Sequence, residues 1–286
     1  MAVVNTNVSA SIAQSALARN DRALGKAMEQ LSTGRKINSA ADNASGLAIT
    51  ARMTSQIKGL DTAIRNANDA VSMISTAEGA LDEISNMLQR MRELAVQAGT
   101  GTTDSADRTY MNTEFSNLRS EIDRIADNTQ WNGRNILDGS AGASTGKSTV
   151  AFQVGSDYKQ TISTTFGNFN NTTGKLSGLA SKVISGTTIV SAIAMASSSI
   201  VELDVVIGDV SSQRATFGAV SNRLTHAIDN LTNVKTNAEA SRSRILDTDY
   251  AAATTEMART QIIQQAGTAM LAQANALPQT VLALLQ

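Results

Sequence analysis

The sequence has no cysteine, one histidine and one proline, and its aromatic residues are 5 Phe, 3 Tyr and 1 Trp among 286 residues. The absence of cysteine excludes a disulfide framework, a thiolate metal site and a cysteine nucleophile. The single histidine, His226, excludes a multi-histidine metal site. So few aromatic residues make a globular enzyme core or a loop-rich β protein a poor fit. The composition therefore predicts a mostly helical chain.

Net charge and long apolar runs are also lacking. Lys and Arg number 24 and Asp and Glu number 25, which gives a formal net charge of −1. No global field therefore draws the chain to nucleic acid or to an acidic membrane surface. No uninterrupted apolar run approaches the roughly 18 residues of a membrane span, and the first residues do not resemble a secretory signal peptide. We expect a soluble chain with no nucleic-acid partner, no membrane insertion and no cleavable export signal.

Catalytic motifs are missing as well. The sequence contains no Gly-rich phosphate loop, no Gly-x-Ser-x-Gly elbow and no His-Glu-x-x-His. The acid pairs Asp82/Glu83 and Asp247/Asp249 allow a general acid and base or a cation site, but solvated helix faces and caps are the commoner use of such pairs. We predict that the protein is not an enzyme and has no catalytic, cofactor or metal site.

Two long helical rods dominate the pattern. Apolar residues recur every seven positions from Met53 to Ala95 and again from Leu203 to Ile245. The companion stripe shifts by one residue along each rod, which indicates a nearly straight helix. Asn43–Gln97 at about 1.5 Å per residue would be roughly 80 Å long. A shorter helix is predicted over Met111–Ile125, and short connections favour an antiparallel bundle.

The centre of the chain has a different texture. Residues 139–199 are rich in Gly, Ser, Thr and Asn, and alternating apolar residues on both sides of Gly155-Ser156-Asp157 predict a β-hairpin. The segment Val183–Val190 is compatible with a strand or with the lead into the second rod. The predicted fold class is mainly α, a long-helix antiparallel bundle or coiled coil with a small central β-hairpin region and helical terminal segments.

The two ends form a third region. Residues 1–31 can form helix but have few bulky residues to bury, so they should barely fold alone. Residues 253–286 end on apolar side chains that need a partner. The apolar positions of this end are Ile263, Met270, Leu277, Val281, Leu284 and Leu285. We predict a terminal helical domain made of residues 1–42 with 253–286, disordered in the monomer, and a rod domain over residues 43–252.

A further surface is predicted on the first rod. In the run Leu88–Leu94, the residues Leu88 and Met91 belong to the buried stripe. Arg90, Glu93 and Leu94 are then expected on a more exposed side, beside Gln89. This pattern fits an ordinary charged helix face, and it also fits a protein interface anchored by an exposed leucine.

Ten short stretches resemble bacterial flagellin. Those of the N-terminal half are Leu31–Ala40, Gly46–Ile49, Arg65–Asp69, Thr76–Leu81 and Arg90–Gln97. Those of the C-terminal half are Ser241–Ile245, Asp247–Tyr250, Gln264–Gly267, Leu271–Asn275 and Pro278–Leu285. Together they cover roughly residues 1–139 and 200–286 in the order of that family. The chain resembles a short flagellin, because residues 139–199 leave little room for a large outer domain.

The resemblance implies a structural subunit that polymerises into the hollow helical filament used for swimming. It implies export through the type III apparatus and an extracellular location. The partners implied are further copies of the chain, an export chaperone, the filament cap protein and a hook-associated junction protein. In flagellins detected by the Toll-like flagellin receptor of hosts, the contacting Arg, Leu and Glu match Arg90, Leu94 and Glu114. The C-terminal leucines resemble the part detected by inflammasome sensors.

Three other functions compete with this one. A hook-filament junction protein shares the terminal helices but adapts the filament instead of forming its bulk. The signalling bundle of a chemoreceptor is also a long helical hairpin, but it normally brings a membrane span and needs no central hairpin. A metalloprotease inserted in the centre, as some flagellins are thought to carry, is excluded because residues 139–199 contain no histidine.

Overall fold

The computed structural model describes residues 7–142, 148–170, 174–186 and 188–283, with side chains as far as residue 276. Five long helices account for most of this chain, and the predicted fold class is confirmed. The helices are α1 (Val8–Thr33), α2 (Ala44–Ala98), α3 (Ser105–Asn128), α4 (Ile189–Leu246) and α5 (Tyr250–Ala283). The strands are β1 (Gln130–Trp131), β2 (Arg134–Asn135), β3 (Thr149–Gln153) and β4 (Thr161–Thr165).

The two rods, α2 and α4, run antiparallel in a constant register. Three ion pairs join them: Asp61 to Lys235 at 2.6 Å, Asp82 to Arg214 at 3.0 Å and Arg92 to Asp204 at 2.7 Å. The first two pairs are 21 residues apart on both helices, and the second and third are 10 apart on both. Such equal steps require two helices that neither slip nor loop out between these contacts.

A continuous apolar core lies between α2, α3, α4 and the hairpin region. In α2 its buried members include the predicted seven-residue seam, from Ala67 through Leu81 and Leu88 to Ala95. α3 contributes Phe115 and Ile122. The contribution of α4 includes Leu203, Val206, Val210, Phe217 and Leu224. Side chains one helical turn apart share a face, so these stripes pack as in a helical bundle.

Two antiparallel hairpins connect α3 to α4. β1 and β2 meet at the turn Asn132-Gly133, whose positive φ angles of 50° and 73° suit the tight two-residue hairpin that Asn-Gly favours. The predicted hairpin is observed as β3 and β4, with Thr149 opposite Thr165 and Gln153 opposite Thr161. Ile162 and Thr164 face inward, and the ring of Phe166 lies 5.1 Å from that of Phe217 in α4.

The irregular segment after β4 is part of the core. Phe166, Phe169, Leu176, Leu179 and Ile184 are all fully buried. The segment Val183–Val190 was compatible with a strand or with the lead into the second rod. It forms no strand in its described residues, and α4 begins at Ile189. α4 therefore starts earlier than the heptad seam indicated. Within this early part of α4, Ser199 is buried and its hydroxyl donates to the carbonyls of Met195 and Val183.

The terminal helices α1 and α5 pack against each other through small and polar residues. Asn20 donates to the carbonyl of Thr260 at 2.7 Å, and Gln264 donates to the carboxylate of Asp21 at 2.9 Å. A side chain at Gly267 would collide with Leu17. The two chain ends therefore pair through polar side chains and a glycine that makes room for Leu17, with few large apolar side chains between the helices.

A strap formed by residues 34–43 links α1 to α2 and is tied to residues 246–248. The amide of Lys36 donates to the carbonyl of Leu246 at 2.7 Å, and the amide of Thr248 donates to the carbonyl of Gly34 at 3.0 Å. The carboxylate of Asp42 accepts from Lys26 and from the amides of Asn38 and Ser39. The hydrogen bond from Lys26, followed by those from the strap amides, lowers the pKa of Asp42 to about 2.

The contacts divide the chain into two compact units, residues 1–57 with 236–286 and residues 58–235. The predicted boundaries at residues 42 and 253 separate the segments that become ordered on assembly from the rod. That division stays a prediction. Among the described residues, α4 is the one helix that is long and apolar enough to cross a membrane by length and composition, with a mean hydropathy of 1.7 over 18 residues, 28% of which are buried. A search for uninterrupted apolar runs misses this window because Ser191, Ser197–Ser199, Glu202 and Asp204 interrupt its apolar residues.

Candidate assembly and recognition surfaces

The predicted interface on α2 contains an exposed ion-pair cluster. The Arg90 guanidinium contacts Glu93 at 3.0 Å on its own helix and Glu114 of α3 at 3.0 Å. The hydrogen bond from Glu114, followed by that from Glu93, raises the pKa of Arg90 above its usual value. Because these side chains are about half exposed, solvent screens the cluster and it adds little to stability. It does hold one cation and two carboxylates in a fixed arrangement at the surface.

Leu94 is not on the exposed side, and that expectation is wrong. Its side chain is 2% exposed and belongs to the core. α2 is bound on one flank by α3, through Arg90 and Glu114, and on the other by α4, through Arg92 and Asp204. With neighbours on two flanks, the buried arc of α2 is wide enough to include Leu94 as well as Leu88 and Met91. Gln89, Arg92, Glu93, Val96 and Gln97 line the exposed surface instead.

The predicted C-terminal positions lie in α5 as far as the structure describes them. Ile263 is 43% exposed and Met270 is 66% exposed. Leu277 and Val281 lie in the helix, but their side chains are outside the described residues, as are Leu284 and Leu285 altogether. Neither Ile263 nor Met270 therefore reaches full burial in the isolated chain.

The acid pairs are used structurally. Asp249 caps the start of α5 by accepting from the amides of Ala251 and Ala252, and Asp82 forms the ion pair with Arg214. In the part of the chain that the structure describes, no group of three or more His, Cys, Asp or Glu residues could hold a metal ion. His226 is exposed on α4. Trp131 packs against the core, as a corner residue anchoring the β1–β2 turn would.

Two features were missed by the sequence reasoning. Arg108 in α3 is 1% exposed and donates to the carbonyls of Ala98 and Thr100 at the end of α2. Tyr158, at the tip of the β3–β4 hairpin, is 89% exposed. No spacing rule predicts that an arginine is buried, whereas the position of Tyr158 directly after the predicted turn Gly155-Ser156-Asp157 was a signal that could have been used.

The sequence matches two helical regions of a known protein family. The bacterial flagellin N-terminal helical region matches residues 4–142, and the bacterial flagellin C-terminal helical region matches residues 200–285. A flagellin of Halalkalibacterium halodurans is 42% identical over 284 residues, covering 99% of this chain and all of that protein. The chain is a member of the bacterial flagellin family. Flagellin A of Vibrio anguillarum is 36% identical and is covered over 99% of its length.

Flagellins are structural proteins rather than enzymes, and this chain is a subunit that polymerises into a flagellar filament. A hook-associated protein from Vibrio parahaemolyticus, described as putative, shares the fold, with a TM-score of 0.60 over 72% of this chain and all of that chain, at 15% identity. That likeness concerns the fold alone. The full-length identity to flagellins therefore separates this chain from the junction-protein alternative, and the chemoreceptor and enzyme alternatives lose their support.

Proposed function

We propose that the terminal segments, residues 1–42 and 253–286, complete their folding only when copies of this flagellin stack in the filament. The observation that carries this proposal is the scarcity of buried apolar side chains in the unit formed by the chain ends. In its described residues, the buried apolar side chains are Ala27, Ile37, Ile57 and Ala253. Such a unit gains little from burial against the entropy of ordering two helices.

Apolar residues left over on these helices support the same proposal. Ile12, Met28, Ile262, Ile263 and Met270 are all more than a third exposed. Their burial against identical helices of neighbouring subunits would supply the missing stabilisation, since helices of this kind depend on tertiary packing. Ordering of the ends and growth of the filament would then be one coupled process.

Hydrogen exchange tests this coupling. In the monomer, amides of α1 and α5 are expected to exchange at least about 100-fold faster than those of Leu81–Leu94 in the rod, because local opening of the terminal unit costs little. In the filament the terminal amides should become as protected as the rod. The rod amides serve as the internal control in both samples. Equal protection of the ends in monomer and filament would contradict the proposal.

We further propose that the exposed cluster on α2 and α3 is recognised by the Toll-like flagellin receptor of hosts. The fixed arrangement of Arg90 between Glu93 and Glu114, next to exposed Gln89, supports this. Arginine anchors of this kind often dominate protein interfaces. Since Leu94 is buried, its part would be to hold the backbone of α2 in place beneath the cluster.

Charge reversal separates recognition from assembly. Arg90→Glu should weaken receptor activation by about 30-fold or more, the effect of losing one strong interface residue. Filament formation, followed by electron microscopy, should persist because an exposed ion pair contributes little to the fold. Arg124→Glu is the matched control, since Arg124 is an exposed arginine paired within α3 to Glu121. If both variants activate the receptor like the natural protein, the receptor site lies elsewhere.

The remaining partners are proposed for the C-terminal end. Exposed Ile263 and Met270, together with the leucines beyond them, would meet the export chaperone and the filament cap protein before assembly. A hook-associated junction protein would meet the same helices at the base of the filament. Export would proceed through the type III apparatus to the cell exterior, and a loosely packed terminal unit suits passage in an unfolded state.

A further inference from the structure

A cavity in the terminal unit carries an excess of positive charge. It has a volume of about 300 Å³ and lies between α1, the strap and the end of α4. Lys26, Lys36 and Arg244 line it together with a single carboxylate, that of Asp42. All four residues belong to the compact unit formed by residues 1–57 and 236–286. Three cations therefore share one cavity with one anion.

The carboxylate of Asp42 has no capacity left for further cations. Its Oδ1 atom pairs with the Lys26 ammonium at 2.9 Å. Its Oδ2 atom accepts from the Asn38 amide at 3.2 Å, and from the amide and hydroxyl of Ser39 at 3.1 and 3.2 Å. A carboxylate has about four acceptor positions, which these donors fill. Asp42 therefore compensates Lys26 alone.

The other two cations lack a carboxylate partner. Among the described residues, Lys36 and Arg244 form no ion pair, and both side chains are exposed. The guanidinium of an arginine presents its N–H groups in a planar fork that binds two oxygens of one oxyanion, and an ammonium adds a point charge with three donors. A cavity lined by both groups is suited to an anion from solution.

The walls and the size of the cavity favour a small anion. Ile37, which is 4% exposed, and Ile245 line it, and apolar walls strengthen the field of nearby charges. Asn43, the cap of α2, also lines it, so the positive end of that helix dipole lies at the cavity. A water molecule takes about 30 Å³, so the volume suffices for one tetrahedral oxyanion with part of its hydration shell.

We infer that this cavity binds a small tetrahedral oxyanion, inorganic phosphate or sulfate, between the Lys36 ammonium and the Arg244 guanidinium. Lys26 stays paired with Asp42 and offers its remaining N–H groups to the same ligand. Lys36 belongs to the strap and Arg244 to α4, so the anion would join the strap to the end of the second rod. It would add to the backbone hydrogen bond from Lys36 to Leu246.

The inference rests on the proposed ordering of the chain ends and adds a ligand to that process. Lys26 and Lys36 lie within residues 1–42, so the cavity would be complete only where this segment is ordered, in the filament. A ligand that binds only the ordered state shifts the equilibrium toward it. At a phosphate concentration about ten times the dissociation constant, the critical concentration for assembly should fall about tenfold.

Equilibrium dialysis of filaments against radiolabelled inorganic phosphate tests the site. Natural filaments are expected to bind about one phosphate per subunit. Arg244→Gln and Lys36→Gln should each weaken binding at least about tenfold, because each removes one of the two unpaired cations. The matched control is Arg22→Gln, since Arg22 is an exposed arginine of α1 that does not line the cavity, and its filaments should bind phosphate like the natural ones.

Competition separates a specific site from general ionic attraction. Sulfate should displace the labelled phosphate, and chloride at the same ionic strength should not. Equal displacement by chloride, or equal phosphate binding by Arg244→Gln and Arg22→Gln filaments, would overturn the site. Natural filaments that bind no phosphate would overturn it as well, even if neither cavity variant assembles.

The critical concentration supplies a second readout. Replacing chloride by phosphate at equal ionic strength should lower it for the natural chain and for Arg22→Gln, and much less for Arg244→Gln. General exclusion of phosphate from protein surfaces acts on all three chains alike, so equal responses would overturn the site. The monomer should bind phosphate at least about tenfold more weakly than the filament. If both bind it equally, the oxyanion site stands and the coupling of ordering to assembly is wrong.

Discussion

Deletion of residues 1–42 and 253–286 together is expected to abolish polymerisation and to leave the rod folded. Every buried member of the apolar core cluster lies between Ala67 and Leu224, inside the unit formed by residues 58–235. The deleted segments contain α1 and nearly all of α5, whose mutual contact uses Asn20, Thr260 and small residues. The rod therefore keeps its stabilising core while the proposed filament-forming helices are lost.

The measurements are electron microscopy of seeded samples for filaments and thermal unfolding followed by circular dichroism. The full-length chain, prepared in the same way, is the control for both. The truncated chain should show no filament at any concentration, and its melting temperature should stay within a few degrees of the rod transition in the full-length monomer. A truncated chain that elongates seeds would contradict the role given to the ends. One that is unfolded would contradict the independence of the rod.

The long helices could be predicted closely because their signals are local and repeated. The first rod was expected over Asn43–Gln97 and is observed over Ala44–Ala98. The seven-residue seam defines its length, and the Asn43 side chain accepts from the amide of Gly46 as a helix cap. The β3–β4 hairpin could be predicted equally well, because alternating apolar residues surround a turn sequence.

Leu94 shows where local periodicity fails. A single stripe predicts which residues face one neighbour, but α2 has α3 on one flank and α4 on the other at this level. Whether a residue at the edge of the stripe is buried depends on the second neighbour, which the spacing within α2 does not encode. The exposed character of Arg90 and Glu93 was predictable, because long charged side chains avoid burial without a partner.

The segment from Phe166 to Ile184 shows a different limit. Its apolar residues are separated by Gly, Ser, Thr and Asn with no helical or strand period, so no local pattern predicts that they are buried. In the structure these residues fill the core beside α3 and α4. Long-range contacts hold the segment: the Arg119 guanidinium donates to the carbonyls of Leu179 and Ala180, and the Ile184 amide donates to Asn112. Such contacts join residues about 60 to 70 positions apart and leave no local signature.

Replacement of Arg108 by methionine is expected to lower the free energy of unfolding of the rod by about 2 to 4 kcal/mol. The guanidinium of Arg108 donates to the carbonyls of Ala98 at 3.1 Å and Thr100 at 2.7 Å. The last carbonyls of a helix have no partner within it, and a cation there also meets the negative end of the helix dipole. Methionine fills a similar space but donates to neither carbonyl, and the carbonyl of buried Ala98 is left without this partner.

Urea denaturation of the monomer, followed through the rod transition, measures this loss. Arg119→Met is the matched control, because Arg119 also donates to backbone carbonyls but is only half-buried, so water can replace it and the loss should be about 1 kcal/mol or less. The stabilisation by the hydrogen bonds of Arg108 is opposed by the free-energy cost of burying its guanidinium, whose Nη1 has no hydrogen-bond partner. If Arg108→Met proves as stable as the natural chain, that burial cost equals the gain from both hydrogen bonds, and Arg108 does not stabilise the end of α2.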